Sequence, residues 1–297
     1  MKLTRRRESG RADASLVPRM RQVGLLCVLV ALAVPAVHAQ RAKSDSTAQP
    51  PTQPGGSELF GPNDAPLLIG AIFASIEVAH YDTKIAHYTQ SMSVQGDSNR
   101  LRFVKSLTKA NETTLTVAAL LGYGLGRITH STTVTDVSAH VGEALVITSV
   151  VSQAIRGPFG RARPYVTHDD QNSDFHVKKG FTSYDYRSFP SLHSSTAFAA
   201  AAAITEEVKE RHPGAAWPVG IILYSTALIP GVTRMYLDQH WASDVAFGAF
   251  LGAFIGNKVV EHAHSNPRNK LDRFLLGATI VPEGHGVVTF SWTTPAP

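Results

Sequence analysis

The segment LHSSTAFAAAAAITEEVKER at residues 192–211 decides the fold class, because it is rich in alanine and contains neither Gly nor Pro. This composition favours a long α-helix. Further stretches with helical patterning lie on both sides of it, at residues 65–85, 101–128, 138–156, 216–230 and 241–263. The sequence therefore predicts an all-α protein, built as a bundle of about six core helices.

Two segments depart from the helical pattern. Residues 157–190 lack sustained periodicity and are crowded with Gly, Asp, His, Tyr and Lys. A loop of that length inside a compact domain is usually functional, so we expect it to select the ligand. In the tail, residues 267–297, two β-rich stretches surround Pro282-Glu283-Gly284 and predict a short terminal β-hairpin.

The N-terminal region has the layout of an export signal. A basic stretch ends at Arg21, an apolar run covers Val23–Val37, and small residues precede a cleavage point after Ala39. An uncleaved anchor is the alternative, although the run is shorter than the roughly 20 residues that span a bilayer. Residues 1–39 are thus predicted to be a signal peptide and residues 40–63, rich in Pro, Gly, Ser, Thr and Gln, a flexible linker. Residues 64–266 remain as the helical domain of an exported protein, periplasmic or associated with the cell envelope.

The charge distribution argues against a nucleic acid partner. The chain has a formal net charge of +5, but the 39 N-terminal residues account for all of it. The remaining residues have equal numbers of basic and acidic groups, and so lack the surplus that neutralises phosphates. The single cysteine, Cys27, also lies in the predicted signal, which excludes disulfides and thiolate metal sites from the mature chain.

The lengths of the apolar stretches bear on membrane insertion. The stretches 113–126, 144–155 and 245–257 are free of formal charge but are shorter than a membrane span. The longer stretch at 212–233 is interrupted by Pro213, Pro218 and Pro230. We therefore expect a soluble or peripherally attached bundle rather than an integral membrane protein.

Three polar clusters carry the predicted chemistry: RGPFGRARP at 156–164, FPSLHS at 189–194 and TRMYLDQHWASD at 233–244. Arg156 and Arg163 carry permanent positive charges, and each guanidinium group can donate to two phosphate oxygens at once. Ser191 stands where a helix begins, so its hydroxyl and the unpaired amides after it form an anion site.

The histidines supply the reactive groups. His240 and Asp244 are four residues apart on one predicted helix, so the carboxylate can orient the imidazole as a nucleophile. His193, beside the anion site, is a candidate general acid. Because no metal-ligand motif of the usual spacing occurs in the body, the predicted chemistry needs no metal.

Together the clusters resemble the type 2 phosphatidic acid phosphatase and vanadium haloperoxidase superfamily, whose motifs are Lys-x6-Arg-Pro, Pro-Ser-Gly-His and Ser-Arg-x5-His-x3-Asp. The spacing within each motif is intact. Arg156 replaces the Lys, Thr233 replaces the Ser, and Leu192 replaces the Gly. The Cβ of Leu192 restricts the backbone and narrows the pocket, which bears on rate and substrate size.

The resemblance implies an α-helical phosphatase in which His240 attacks phosphorus and forms a phosphohistidine. Asp244 would orient His240, and His193 would protonate the leaving oxygen and later activate water. The phosphoryl oxygens would be held by Arg156, Arg163, Arg234, Ser191 and the amide of Leu192. No cofactor is implied, and vanadate is expected to inhibit.

Two other functions stay open at this point. A vanadium haloperoxidase would use the same pocket with vanadate as its cofactor, and a phosphate-binding homologue could keep the pocket with little turnover, because of Leu192. The substrate is a phosphorylated small molecule or a lipid phosphate; an isoprenoid diphosphate or a nucleotide would fit the same constellation.

Overall fold

The structure is a computed structural model. It describes residues 58–266 with their side chains, and residues 278–283 and 287–292 by their backbone alone. The predicted signal peptide and most of the predicted linker lie outside the described residues. Within the described part the protein is helical, with α1 Ala65–Ala79, α2 Asp82–Thr89, α3 Met92–Gln95, α4 Ser98–Leu107, α5 Glu112–Ile128, α6 Thr132–Phe159, α7 Lys179–Thr182, α8 Leu192–Arg211, α9 Pro213–Tyr236 and α10 Ala242–Ser265. The all-α prediction is confirmed.

Two predicted helices are each divided in the structure. The prediction for 65–85 is wrong at residues 80–81, where α1 ends and α2 begins. The prediction for 101–128 is wrong at residues 108–111, because Asn111 accepts a hydrogen bond from the Thr114 amide and starts α5 anew. The helical pattern of the sequence continues across both breaks, so the pattern does not reveal where one helix ends and the next begins.

The centre of the bundle is α8, which packs against α6, α9 and α10. Its alanines are almost all enclosed, and α10 approaches it closely through glycines. A Cβ at Gly252 would lie 1.9 Å from the Ser195 carbonyl oxygen, and one at Gly256 would lie 2.4 Å from that of Ala199. This contact brings the first turns of α8 and α10 side by side.

The long segment between α6 and α8 covers the same end of the bundle. It begins at Gly160, whose φ of +55° ends α6 in the left-handed conformation. A Cβ at Gly160 would lie 1.9 Å from the His176 carbonyl oxygen, so the loop packs directly on this turn. Arg161 and Arg163 follow immediately and point into the bundle, where both are buried.

The C-terminal strands β1 Ala278–Glu283 and β2 Val287–Trp292 pair antiparallel, with Ala278 opposite Trp292 and Glu283 opposite Val287. The pairing agrees with the predicted terminal hairpin, but β1 includes Pro282 and Glu283, which were predicted to lie between the strands. Asn266, just before Pro267 in sequence, caps the end of α10, as expected for a helix stop.

Among the described residues, three helices are by length and composition able to cross a membrane: α6 with 28 residues, and α9 and α10 with 24 each. The expectation that these stretches are too short to span a membrane is wrong, because a count of charge-free residues ends at polar groups that the helices continue past. The expected burial holds for α10, whose apolar window is 78% buried, but not for α6 and α9, whose windows are 39% and 28% buried. Pro218 and Pro230 lie inside α9 without ending it. The helices α6 and α9 also expose many apolar side chains.

Candidate active site

The three predicted clusters meet at one end of the bundle. Arg156 lies in the last turns of α6, Ser191 is the N-cap of α8, and His240 precedes α10. The Ser191 amide donates a hydrogen bond of 3.0 Å to the Asp244 carbonyl oxygen, which ties the starts of α8 and α10 together. Residues far apart in the chain therefore surround one pocket.

His240 is enclosed, with 2% of its surface exposed. Its Nδ1 lies 2.7 Å from the carbonyl oxygen of Ser188, which can only accept, so Nδ1 carries the proton. Its Nε2 is buried and has no hydrogen-bond partner among the described residues. The imidazole thus presents an unshared electron pair at Nε2.

The sequence predicted that Asp244 orients His240 directly, but the geometry assigns the closer contact to Ser188. The Asp244 Oδ2 atom is 3.6 Å from Nδ1 of His240, beyond hydrogen-bond distance. The same oxygen accepts hydrogen bonds from the Ser188 hydroxyl at 2.5 Å and from the Trp241 amide at 2.9 Å. Asp244 therefore holds the Ser188 segment in place while its charge faces the imidazole.

The electrostatic surroundings keep His240 neutral. Burial lowers its pKa well below the usual value, and the nearby guanidinium groups of Arg163 and Arg156 lower it further. The carboxylate of Asp244 acts in the opposite direction without overcoming burial. At neutral pH the imidazole is consequently unprotonated at Nε2, as a nucleophile must be.

The three arginines differ in how many of their guanidinium N–H groups already donate hydrogen bonds within the protein. Arg156 donates from Nε to the Pro190 carbonyl oxygen at 2.9 Å, and its Nη groups make no hydrogen bond within the described residues. Arg163 is held by the carbonyl oxygens of Tyr184 and Gln239. Arg234 reaches the Tyr184 hydroxyl at 3.3 Å, and its buried Nε has no partner in the described part of the chain.

His193 faces the same pocket from the first turn of α8. The charges of Arg234, Arg156 and Arg163 all act on it, which places the three guanidinium groups around one space. Its Nε2 lies 3.5 Å from the Glu112 carboxylate at the start of α5. Leu192, where the family has Gly, turns its side chain into the protein and is 8% exposed. The Ser191 hydroxyl accepts a long contact of 3.5 Å from the Ser194 amide.

Sequence reasoning did not single out Arg161, Asp82, Ser188 or Glu112. Arg161 donates to Asp244 at 2.5 Å and to Asp82 at 2.8 Å, so one guanidinium group bridges two fully buried carboxylates. Arg161 stands inside the first cluster, and this is the one signal that could have identified it. The other three lie outside the motif positions, and only the packing brings them to the site.

A sequence model described as the PAP2 superfamily matches residues 138–266. This segment contains every residue of the pocket named in the three clusters. Residues 138–266 belong to the PAP2 superfamily. The resemblance inferred from the motifs is confirmed.

Individual relatives match this chain over different lengths. A stretch of 69 residues is 39% identical to a lipid A 1-phosphatase of Porphyromonas gingivalis and covers 23% of this chain. It spans 15% of that relative's length. The crystal structure of a transmembrane PAP2 type phosphatidylglycerolphosphate phosphatase from Bacillus subtilis aligns with a TM-score of 0.47 at 18% identity, over 68% of this chain and 98% of that chain.

Proposed function

We propose that this chain is a membrane-embedded phosphatase that removes a phosphate group from a lipid. The unpartnered Nε2 of buried His240, beside Arg156 and Arg163, is the observation that carries the proposal, and Arg234 acts on the neighbouring His193. An uncharged nucleophile surrounded by fixed cations suits an anionic phosphoryl group. Membership of the PAP2 superfamily supports this chemistry.

In the first step the Nε2 electron pair of His240 forms a bond to phosphorus while the bond to the leaving oxygen breaks. The three arginines stabilise the charge on the phosphoryl oxygens, and the amides at the start of α8 contribute as donors. His193 gives its proton to the leaving oxygen. Burial and the charge of Arg234 lower the pKa of the free imidazole to about 4, and the Glu112 carboxylate 3.5 Å away opposes them. The negative charge of a bound phosphoryl group would favour the protonated imidazole that this role requires. The other imidazole proton stays on Nδ1 of His240, which donates it in a hydrogen bond to the Ser188 carbonyl oxygen.

In the second step a water molecule attacks the phosphohistidine. His193, now neutral, accepts a proton from that water, and the nitrogen–phosphorus bond breaks as the oxygen–phosphorus bond forms. Free phosphate leaves, and His240 regains its electron pair. Proton acceptance and donation by one histidine balance over the cycle, and no step requires a metal ion.

Apolar residues around the pocket favour a lipid over a soluble phosphate ester. The loop between α6 and α8 and the adjoining end of α6 expose Phe159, Phe175, Val177, Phe181 and Tyr184. The ring of Tyr184 lies 4.1 Å from the Arg163 guanidinium carbon, so the apolar rim adjoins the cations directly. A substrate with a phosphate head and an apolar body matches this arrangement, and the named relative is a lipid A phosphatase.

The outer surface supports a position within the bilayer. Helices α1, α5, α6 and α9 together expose a set of large apolar side chains: Ile69, Ile72, Phe73, Ile76, Val117, Leu120, Leu121, Leu125, Val146, Val150, Trp217, Ile221, Ile222, Ile229 and Val232. A water-soluble monomer rarely exposes so continuous an apolar surface. The three helices of spanning length supply the elements that would cross the membrane.

The test uses the purified full chain in detergent micelles, with phosphate release measured from a lipid phosphate, a diphosphate lipid and para-nitrophenyl phosphate. We expect the lipid substrates to have the highest kcat/KM, and His240→Ala to abolish release from all of them. The membrane position is tested separately by an alkaline carbonate wash, which should leave the chain in the pellet. Phosphate binding without release, or bromide oxidation with peroxide and vanadate, would contradict the proposed activity.

A further inference from the structure

A second cluster of polar groups lies at the end of the bundle opposite the candidate active site. His140 of α6, Glu207 of α8 and His264 of α10 each direct one ligand atom to a common point, and all three atoms lie within 4.8 Å of one another. Along α8, Glu207 is about 21 Å from His193 at a rise of about 1.5 Å per residue. The reaction outlined above uses none of these groups.

The two carboxylate oxygens of Glu207 contact different groups. Its Oε1 contacts Nδ1 of His140 at 2.5 Å and Nε2 of His264 at 3.0 Å. Its Oε2 accepts from the Arg211 guanidinium at 2.9 Å, and Arg211 also pairs with Asp136 at 3.0 Å. Arg211 therefore fixes the orientation of the carboxylate and leaves Oε1 for the imidazoles.

We propose that His140, Glu207 and His264 bind a zinc-type divalent cation. Two imidazole nitrogens and one carboxylate oxygen are a donor set that suits zinc. Tetrahedral ligand atoms at zinc distances of about 2.0–2.1 Å lie roughly 3.4 Å apart. The two contacts of Glu207 with His140 and His264, at 2.5 and 3.0 Å, would therefore open by less than about 1 Å, and the two imidazole nitrogens, within 4.8 Å of each other, would adjust to the same spacing. When the ion binds, it replaces the protons in the hydrogen bonds that Glu207 forms with His140 and His264.

The burial of the three ligands defines how the ion enters. Glu207 is fully enclosed and His140 is nearly so, whereas the His264 side chain keeps 34% of its surface exposed. An ion can therefore reach the cluster from the His264 side, where a fourth position is available to water. Because the ligands come from α6, α8 and α10, the ion links the three helices that also form the active-site end.

The experiment measures zinc binding to the purified full chain in detergent, after treatment with a chelator. Competition with a chromophoric zinc chelator at neutral pH should show one bound ion per chain, with no competition from a similar concentration of Mg²⁺. His264→Ala should weaken binding by at least about 10-fold, and Glu207→Gln by a similar factor or more. His212→Ala, an exposed histidine near the same end, is the matched control and should bind like the unchanged chain.

Two further readouts keep the test decisive. Zinc should raise the midpoint of thermal unfolding of the unchanged chain and of His212→Ala, but not of His264→Ala. X-ray absorption at the zinc edge should show nitrogen and oxygen donors with two imidazoles and no sulfur. Since Glu207→Gln alters a buried group and can fail to fold, His264→Ala decides the outcome. No zinc retention by the unchanged chain, or equal affinity in His264→Ala and His212→Ala, would overturn the proposal.

Discussion

At the scale of single residues, the state of His240 depends on what surrounds each of its two nitrogens. A carbonyl oxygen that can only accept holds the proton on Nδ1, and burial next to arginines disfavours a second proton on Nε2. Asp244 cannot move to follow the imidazole, because Arg161, Ser188 and the Trp241 amide all hold its carboxylate. The nitrogen that we propose as the nucleophile is therefore unprotonated before any ligand binds.

The two histidines of the pocket should differ in how they respond to the leaving group. We expect His240→Ala to abolish turnover of every substrate, because it removes the atom that bonds to phosphorus. His193→Ala should lower turnover of an alkyl phosphate by about 10²–10⁴-fold, and that of para-nitrophenyl phosphate much less, because an acidic leaving group departs without a proton. Labelled phosphate should still be found on His240 in the His193→Ala variant after an alkaline denaturing quench, which preserves the acid-labile nitrogen–phosphorus bond. Equal losses with both leaving groups, or label on another residue, would contradict these roles.

Arg161 should matter for stability more than any exposed arginine. Its removal leaves the carboxylates of Asp82 and Asp244 buried without their shared cation, which typically costs about 3–5 kcal/mol of unfolding free energy. We expect Arg161→Ala to lower the midpoint of thermal unfolding strongly. Arg102→Ala removes an exposed arginine and serves as the control, with an expected cost within about 0.5 kcal/mol. A similar midpoint for both variants would show that the bridge contributes little.

At the scale of elements, the loop between α6 and α8 contributes both buried arginines and exposed apolar side chains. Its Arg161 and Arg163 are buried, while several of its apolar side chains are exposed, and the ring of Tyr184 lies over the Arg163 guanidinium group. Gly160 makes this possible, because its positive φ turns the chain at the end of α6. The neighbouring loop between α9 and α10 supplies His240 and also contains Asp238 at a φ of 61°.

The apolar rim of the long loop should affect lipid substrates selectively. Val177 is 79% exposed, so Val177→Ser changes the rim without disturbing packing. We expect KM for a lipid phosphate to rise several-fold while kinetics with para-nitrophenyl phosphate stay unchanged. Val134→Ser, in the first turn of α6 and thus at the opposite end of the bundle, is the control and should change neither. An equal effect on both substrates would indicate a general effect on the pocket.

Asp238 should make stability depend on pH in a particular direction. Burial, together with the hydrogen-bonded carboxyl of Asp169, raises the pKa of Asp238 to about 7. A carboxyl whose pKa is higher in the folded than in the unfolded state stabilises the fold at acid pH, and this contribution is lost as pH rises from about 4 through about 7.

Asp238→Asn keeps the shape and tolerates positive φ, so it should flatten this pH dependence and stabilise the protein above pH 7. Thermal unfolding between pH 4 and 8 provides the measurement. Asp97→Asn, an exposed helix cap, should leave the slope unchanged. An unchanged slope in Asp238→Asn would show that this carboxyl ionises normally.

At the scale of the whole molecule, the bundle separates two polar regions by an apolar middle. The candidate active site occupies the end where α6 finishes and α8 and α10 begin, and the cluster of His140, Glu207 and His264 lies toward the other end. Exposed apolar side chains cover the sides of α1, α5, α6 and α9 between them. Such a distribution places polar groups where a bilayer would meet water.

This separation predicts that metal removal and hydrolysis are independent. We expect phosphate release to continue in excess chelator and to be inhibited by vanadate, because the arginines supply the charge that a metal would otherwise provide. Chelator should instead lower the thermal midpoint through the opposite end of the bundle. Activity that falls reversibly with EDTA and returns with zinc or magnesium would contradict metal-free hydrolysis.

The sequence by itself determined the helical fold class and the bounds of α8, and it predicted the residues of the three polar clusters. These follow from local patterns, since helix periodicity and motif spacing are read within one stretch of chain. The sequence also determined the family, because Arg156, Arg163, His193, His240 and Asp244 keep the family's spacing.

The tertiary structure alone decided which groups touch. Ser188 as the partner of His240, the bridge from Arg161 to Asp82, and the joining of His140, Glu207 and His264 all connect residues more than 50 positions apart. It also decided that α6 and α9 turn apolar side chains outward, against the expectation of a soluble bundle. Such contacts depend on how whole helices pack against one another, and the spacing of residues along the chain does not specify that packing.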